Sequence, residues 1–174
     1  GKTIHVVMEN YQGMVPNDIL EMAKNGAFSL LLGPITGLLS NKFILALLSE
    51  HCDSPLFSPT EQETIRKYIP WTRKLEEKIE PLMLEEQHRW VIKSASGMGG
   101  DDVFIGSSTT PDKWREAVRK GIRDRRWLVQ EKLSPKLMLF HSNDFEIETS
   151  HVVWGLFMFG RDYGGAMVRG VSYT

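Results

Sequence analysis

The segment 91–133 constrains the fold more than any other part of the sequence. Apolar runs over 89–93 and 103–106 flank a loop that contains three glycines. This arrangement predicts a β-hairpin with a flexible tip. A helix that begins at Thr110-Pro111 and an apolar strand over 127–133 are expected to follow.

The residues before the hairpin predict a mixed α/β (α+β) class. A short buried strand over 3–8, a helix over 19–24 and a second strand over 28–32 have the spacing of a βαβ unit. Helices are expected over 42–50, capped by Ser40 or Asn41, and over 58–68, where Ser58 and Pro59 form a strong helix start. A second short segment is expected over 71–75, and a helix-prone stretch interrupted by Pro81 over 76–86.

The C-terminal part predicts a mostly antiparallel sheet. Strands are expected over 136–140, 145–149, 151–159 and 166–172, with turns at 143–144 and 160–165. We therefore divide the chain into three parts that could form one compact unit. They are an N-terminal α/β and helical part (1–88), a lid-like lobe (89–133) and a truncated β-rich part (134–174). Because both ends resemble cut points, we expect a piece of a longer protein.

Composition excludes several classes of protein. Apolar residues at 41% and charged residues at 25% are typical of a globular chain rather than a disordered one. The formal net charge of -1 argues against a general nucleic-acid or anionic-membrane binder. The single cysteine, Cys52, allows no intrachain disulfide and no Cys-based metal cluster, and it fits a reducing cytosol. Without a basic stripe, the five tryptophans are interpreted as core residues.

The glycine loop can be interpreted in two ways. Glycines let backbone N–H groups approach phosphate oxygens, and Lys93 at the end of the first strand could add an ammonium. The loop is neither a Walker loop nor a dinucleotide-binding fingerprint. Taken alone, a β-turn with a surface lysine is favoured over a phosphate lid by about three to one.

The order of the motifs changes that weighting. In chain order the motifs are Asn41-Lys42, Pro70-Trp71-Thr72, Trp90-Val91-Ile92-Lys93, Gly97-Met98-Gly99-Gly100, Thr110-Pro111-Asp112-Lys113-Trp114, Trp127-Leu128-Val129-Gln130-Glu131 and Val168-Arg169. This series resembles the circularly permuted branch of the ATP-grasp superfamily, the glutathionylspermidine-synthetase-like carboxylate-amine ligases. The resemblance covers nearly the whole chain, and it is the order and spacing that make it specific.

The resemblance implies a role for each matching residue. Lys93 would hold the α- and β-phosphates of ATP, with Lys42 as a second phosphate-facing cation. The residues Gly97, Gly99 and Gly100 would close over the phosphates. The residues Gln130, Glu131, Lys132 and Leu133 would form a hinge that binds adenine and ribose. Arg169 would lie near the γ-phosphate or the acyl-phosphate intermediate as the catalytic cation.

The same resemblance implies an activity. In such enzymes ATP phosphorylates a carboxylate, and an amine or thiol then displaces the phosphate, with Mg2+ and cations stabilising the transferred charge. We expect the Mg2+ ligands outside this piece. Asp144, Glu146 and Glu148 alternate along one strand face, but a solvated face is the favoured interpretation, so no metal ligand is assigned. The expected partners are ATP and an unknown carboxylate with an amine or thiol, in the cytoplasm, without nucleic acid or membrane.

Two departures from the family pattern keep other functions open. Ser94 stands where relatives usually have proline, and Asp101-Asp102 put two negative charges near the expected triphosphate. They favour a non-catalytic ATP-grasp-like interaction domain that has lost ATP turnover. A third interpretation is a plain α/β binding module, which predicts that Lys93 points into solvent.

Overall fold

A computed structural model describes residues 3–8, 15–31, 35–97, 99–141 and 147–171. The chain divides into two units, the first ending at Lys132 and the second beginning at Leu133. Both units contain antiparallel sheets, and helices accompany strands in the first. The prediction of a mixed helix-and-strand fold is confirmed at this level.

The first unit opens with a parallel strand pair. Strands β1 (Val6–Met8) and β2 (Ser29–Leu31) are adjacent, and helix α1 (Asn17–Lys24) connects them, in the βαβ order that the sequence predicts. The expectation that the first strand is buried is wrong, because Val6 and Met8 are 53% and 63% exposed. Helix α1 buries none of its residues, so it covers little of this pair.

Three helices follow, and local capping signals fix two of their starts. They are α2 (Ile35–Leu39), α3 (Phe43–Glu50) and α4 (Pro59–Tyr68). The Asn41 side chain accepts a hydrogen bond from the Phe43 N–H at 2.9 Å and so caps α3. At α4, Ser58 Oγ accepts from the Glu61 N–H while the Glu61 carboxylate accepts from the Ser58 N–H, which forms a capping box.

A four-stranded antiparallel sheet forms the centre of the first unit. Its strands are β3 (Thr72–Lys74), β4 (Trp90–Ser94), β5 (Val103–Ile105) and β6 (Trp127–Glu131), in the order β3-β6-β4-β5. The short segment expected over 71–75 is therefore an edge strand. In the ladders Thr72 is opposite Gln130, and Val91 is opposite the same residue from the other side.

The core lies on one face of this sheet. Helices α5 (Glu80–Glu85) and α6 (Pro111–Asp124) contribute Met83 and Trp114, and the Trp114 Nε1–H donates to the Met83 carbonyl at 2.9 Å. Their partners from β4 and β6 are Trp90, Ile92, Trp127 and Val129. Because successive strand residues alternate between faces, Lys93 and Gln130 are placed on the opposite face.

The second unit is a three-stranded antiparallel sheet. Its strands are β7 (Leu137–His141), β8 (Ile147–Phe159) and β9 (Asp162–Val171), with β8 in the middle. The two strands expected over 145–149 and 151–159 form one strand as far as the structure describes them. The turn expected over 160–165 is shorter than predicted, because β9 already begins at Asp162. The turn expected at 143–144 lies outside the described residues.

No helix in the described part of the chain is long and apolar enough to cross a membrane.

Candidate functional site

Lys93 lies at the end of β4 and is half-buried. Its ammonium donates a hydrogen bond to Gln130 Oε1 on the neighbouring strand β6, at 2.6 Å between Nζ and Oε1. The Gln130 amide in turn donates from Nε2 to Thr72 Oγ1 on β3 at 2.9 Å. Lys93 therefore does not point freely into solvent, as a plain binding module would require.

Lys42 approaches the same place from the start of α3. Its backbone N–H donates to the Ala95 carbonyl at 2.9 Å, and its Nζ donates to the carbonyl of Gly97 in the glycine loop. Two contacts thus join the start of α3 to the residues that follow β4. They bring Lys42 close to Lys93 and Gly97, although Gly97 lies 55 positions further along the sequence.

The surroundings of Lys93 disfavour its charged form. Burial lowers the pKa of Lys93, and the positive charge of Lys42 lowers it further. Among the described residues, neither lysine forms an ion pair with a carboxylate. The side chains of Asp101 and Asp102 are exposed. A bound anion would stabilise these two neighbouring cations, which have no carboxylate partner among the described residues.

The glycine loop has two glycines with open space around them and one at which the backbone is closely packed. Gly99 and Gly100 have φ values of +65° and +94°, and a Cβ atom at either would meet nothing within 4 Å. At Gly97 a Cβ atom would lie 2.9 Å from the Asp101 carbonyl oxygen, so the chain approaches itself closely there. The loop closes where the Ser94 N–H donates to the Asp102 carbonyl at 3.1 Å. Met98 lies outside the described residues.

The predicted hinge residues use several of their donors inside the first unit. The Glu131 and Lys132 N–H groups donate to the carbonyls of Trp71 and Arg89 at 2.9 and 2.7 Å. The Lys132 ammonium donates to Ser107 Oγ at 2.8 Å, and the Gln130 side chain is turned toward Lys93. A role of Gln130, Glu131, Lys132 and Leu133 in binding adenine stays a prediction.

Two further site predictions also stay open. Arg169 lies on β9 of the second unit, exposed and opposite Val153. For metals, the described residues contain no group of three His, Cys, Asp or Glu side chains that could hold an ion. Asp144 and Glu146 lie outside the described residues. The catalytic role of Arg169 and the Mg2+ ligands are therefore not assigned by the geometry.

Thr72 is the site residue that sequence reasoning missed. It is fully buried, its hydroxyl donates to the Pro70 carbonyl at 2.8 Å, and its oxygen accepts from Gln130. The sequence signal was its place in the Pro70-Trp71-Thr72 motif. Its partner on β6 could not be identified without the strand register.

Comparisons with known proteins give a structural similarity but no sequence match. No protein-family model matches the chain, and no curated protein matches it by sequence. Among solved structures, it is similar to D-alanyl-alanine synthetase A from Vibrio cholerae O1 biovar eltor str. N16961, with a TM-score of 0.46 and 16% identity. The similarity covers 86% of this chain and 45% of that chain, so the chain spans less than half the length of the synthetase. It is too weak to identify a shared fold.

Proposed function

We propose that the first unit is the nucleotide-binding portion of an ATP-dependent ligase of the circularly permuted ATP-grasp kind. The ligase would join a carboxylate to an amine or thiol through an acyl-phosphate. The observation that carries the proposal is the pair Lys42 and Lys93, held beside the glycine loop with no carboxylate partner among the described residues. The motif order from Trp90 to Glu131 supports the same function.

The residues present fit a polyphosphate. Lys93 would contact the α- and β-phosphates, and a phosphate oxygen would offset both its desolvation and the repulsion from Lys42. Lys42 would be the second cation. The open space around Gly99 and Gly100 would let the loop backbone approach the phosphates. ATP, when bound, would supply the phosphoryl group that activates the carboxylate.

The remaining parts of the proposal rest on the sequence resemblance. Glu131, Lys132 and Leu133 would contact adenine and ribose, and Arg169 would stabilise the transferred phosphoryl group. Mg2+ would be held by phosphate oxygens and by carboxylates that the described residues do not supply as a cluster. The enzyme would act in the cytoplasm.

A non-catalytic ATP-grasp-like interaction domain is the second candidate. Ser94 and the pair Asp101-Asp102 favour it, because two exposed carboxylates in the glycine loop would repel a triphosphate. This candidate predicts that the fold persists without ATP turnover.

A thermal-shift titration with Mg-ATP tests the proposal. A ligand at a hundredfold excess over its Kd adds about 2.7 kcal/mol to the free energy of unfolding, which visibly raises Tm. We expect this rise in the wild type and its loss in Lys93→Ala and Lys42→Ala. Lys78→Ala, which removes an exposed lysine paired with Glu76, should keep the rise. An unchanged Tm in the wild type, or an equal rise in all four proteins, would contradict binding between the two lysines.

A second measurement separates the two candidates once binding is established. Release of ADP from Mg-ATP, measured with panels of carboxylates and amines, reports turnover. Turnover that Lys93→Ala abolishes would support the ligase. Binding without turnover across the panel would favour the interaction domain.

A further inference from the structure

Lys93 ends a chain of hydrogen bonds that crosses three strands. The Lys93 ammonium donates to Gln130 Oε1, Gln130 Nε2 donates to Thr72 Oγ1, and Thr72 Oγ1 donates to the Pro70 carbonyl. The three distances are 2.6, 2.9 and 2.8 Å. At each of these hydrogen bonds one group donates and its neighbour accepts, from Lys93 through Gln130 and Thr72 to the Pro70 carbonyl.

The donor-to-acceptor direction of these hydrogen bonds fixes the orientation of the Gln130 amide. The Pro70 carbonyl can only accept, so the Thr72 hydroxyl proton is committed to it and the hydroxyl oxygen is left to accept. Gln130 must therefore turn its NH2 toward Thr72 and its oxygen toward Lys93. A flipped amide would place an NH2 group against an ammonium. Because Thr72 is fully buried, water cannot replace its hydroxyl in this chain.

A neutral residue at position 130 preserves the charge of Lys93. An ammonium has three N–H donors, and Gln130 uses one of them, which leaves two donors for a ligand. A glutamate at the same distance would form an ion pair and neutralise the lysine toward an incoming anion. The amide therefore aims the ammonium without cancelling its charge.

We infer that Thr72 and Gln130 are positioning residues that orient Lys93 toward a phosphate group. This inference deepens the proposed function and rests on it for the identity of the ligand. It assigns the Gln130 side chain to Lys93 rather than to adenine. The role of Thr72 acts entirely through Gln130, since the described contacts of its side chain are with Gln130 and Pro70.

The first test uses the protein without ligand. The pKa of Lys93 is measured by NMR titration of its Cε resonance, which is identified by its loss in Lys93→Met. Among the described residues, Lys42 is the charged group that affects Lys93, the adjacent strands present Val103, Leu128 and Gln130, which do not titrate, and Lys74 lies one strand further in the same row. Thr72→Val should lower the pKa of Lys93 further, because the acceptor oxygen is no longer held in place. Thr72→Ser keeps the hydroxyl and should restore the wild-type value.

Gln130→Glu gives a change of opposite sign and does not disturb a buried residue. It should raise the pKa of Lys93, because a carboxylate stabilises the ammonium. The inference is overturned if Thr72→Val titrates like Thr72→Ser, or if Gln130→Glu leaves the pKa of Lys93 unchanged.

The second test measures binding of inorganic tripolyphosphate and of Mg-ATP by calorimetry. We expect Thr72→Val to weaken both by about tenfold, the cost of roughly one well-placed hydrogen bond to a charged group, and Thr72→Ser to stay near the wild type. Gln130→Glu should weaken binding more strongly. Thr60→Glu adds the same charge at the exposed start of α4 and controls for net charge.

The two tests separate this inference from the proposed function. If the wild type binds tripolyphosphate but not Mg-ATP and the Lys93 titrations shift as expected, the positioning role stands and nucleotide binding fails. Binding of neither probe overturns both. If Mg-ATP binds through Lys93 but Thr72→Val and Thr72→Ser bind equally well, the proposed function stands and the positioning role is overturned.

Discussion

Lys42 donates a hydrogen bond from its Nζ to the carbonyl oxygen of Gly97, which joins the start of α3 to the glycine loop. The same ammonium is close enough to Lys93 to lower its pKa. One residue therefore anchors the loop and adds positive charge beside a second, half-buried lysine. In the protein without ligand the two positive charges repel each other, because no carboxylate of the described residues neutralises either one.

The first prediction concerns this repulsion. Lys42→Met should raise the pKa of Lys93, because a neighbouring positive charge is removed. The pKa should remain below the ordinary lysine value, since burial is the larger cause of its depression. NMR titration of Lys93 measures the effect, with Lys78→Met as the control at an exposed site. A Lys93 pKa that is the same in wild type and Lys42→Met would show that the two charges do not interact.

The second prediction concerns Gly106, which is buried next to the chain before β4. A Cβ atom there would lie 1.8 Å from the Gln87 carbonyl oxygen and 3.1 Å from that of Trp90. Because backbone cannot move aside as a side chain can, Gly106→Ala should reduce the free energy of unfolding by about 3 kcal/mol. Urea denaturation measures this loss.

Gly37 in α2 is the matched control for Gly106, because a Cβ atom there would meet nothing within 4 Å. Gly37→Ala should be neutral or stabilise by up to about 1 kcal/mol, since alanine favours the helix. Equal effects of the two substitutions would contradict the close backbone contact at Gly106.

Local signals account for most of what the sequence predicted correctly. Ser58, Pro59 and Glu61 are within one turn of each other, so the start of α4 could be identified without knowing what it packs against. The β4–β5 hairpin is likewise a local structure whose strands are separated by one loop. The phosphate-facing role of Lys42 and Lys93 was implied by resemblance and stays a prediction, while the structure places the two lysines near each other.

Features that depend on distant partners were not predictable in the same way. The contact between Thr72 and Gln130 joins residues 58 positions apart, and it exists only because β3 pairs with β6. The prediction that the first strand is buried was wrong, because an apolar composition does not show whether another element covers the strand. Trp154 shows the same limit, since it was interpreted as core and is 57% exposed.

The third prediction concerns the capping box of α4. Ser58→Ala removes the side-chain oxygen that accepts from the Glu61 N–H, so the free energy of unfolding should fall by about 1 kcal/mol. Ser29→Ala on the exposed side of β2 is the control for the same chemical change and should have little effect. Thermal denaturation followed by circular dichroism measures both variants. A Ser58→Ala protein as stable as Ser29→Ala would indicate that the capping box contributes nothing.

The fourth prediction concerns the pH dependence of stability that Lys93 imposes. Its pKa is lower in the folded protein than in the unfolded chain, where it is about 10.4, so between these two values the unfolded chain binds more protons. Stability from this group therefore increases as the pH rises through the folded pKa toward the unfolded one. Below the folded pKa the full destabilisation by the buried charge is present.

Lys93→Met isolates this effect, because methionine carries no proton to release. Relative to the variant, the wild type should gain stability as the pH rises through the folded pKa of Lys93 toward about 10.4, and the difference between them should be constant below the folded pKa. Urea denaturation at a series of pH values measures the difference. A difference that is independent of pH, or a wild type that loses stability relative to Lys93→Met as the pH rises, would mean that folding does not lower the pKa of Lys93.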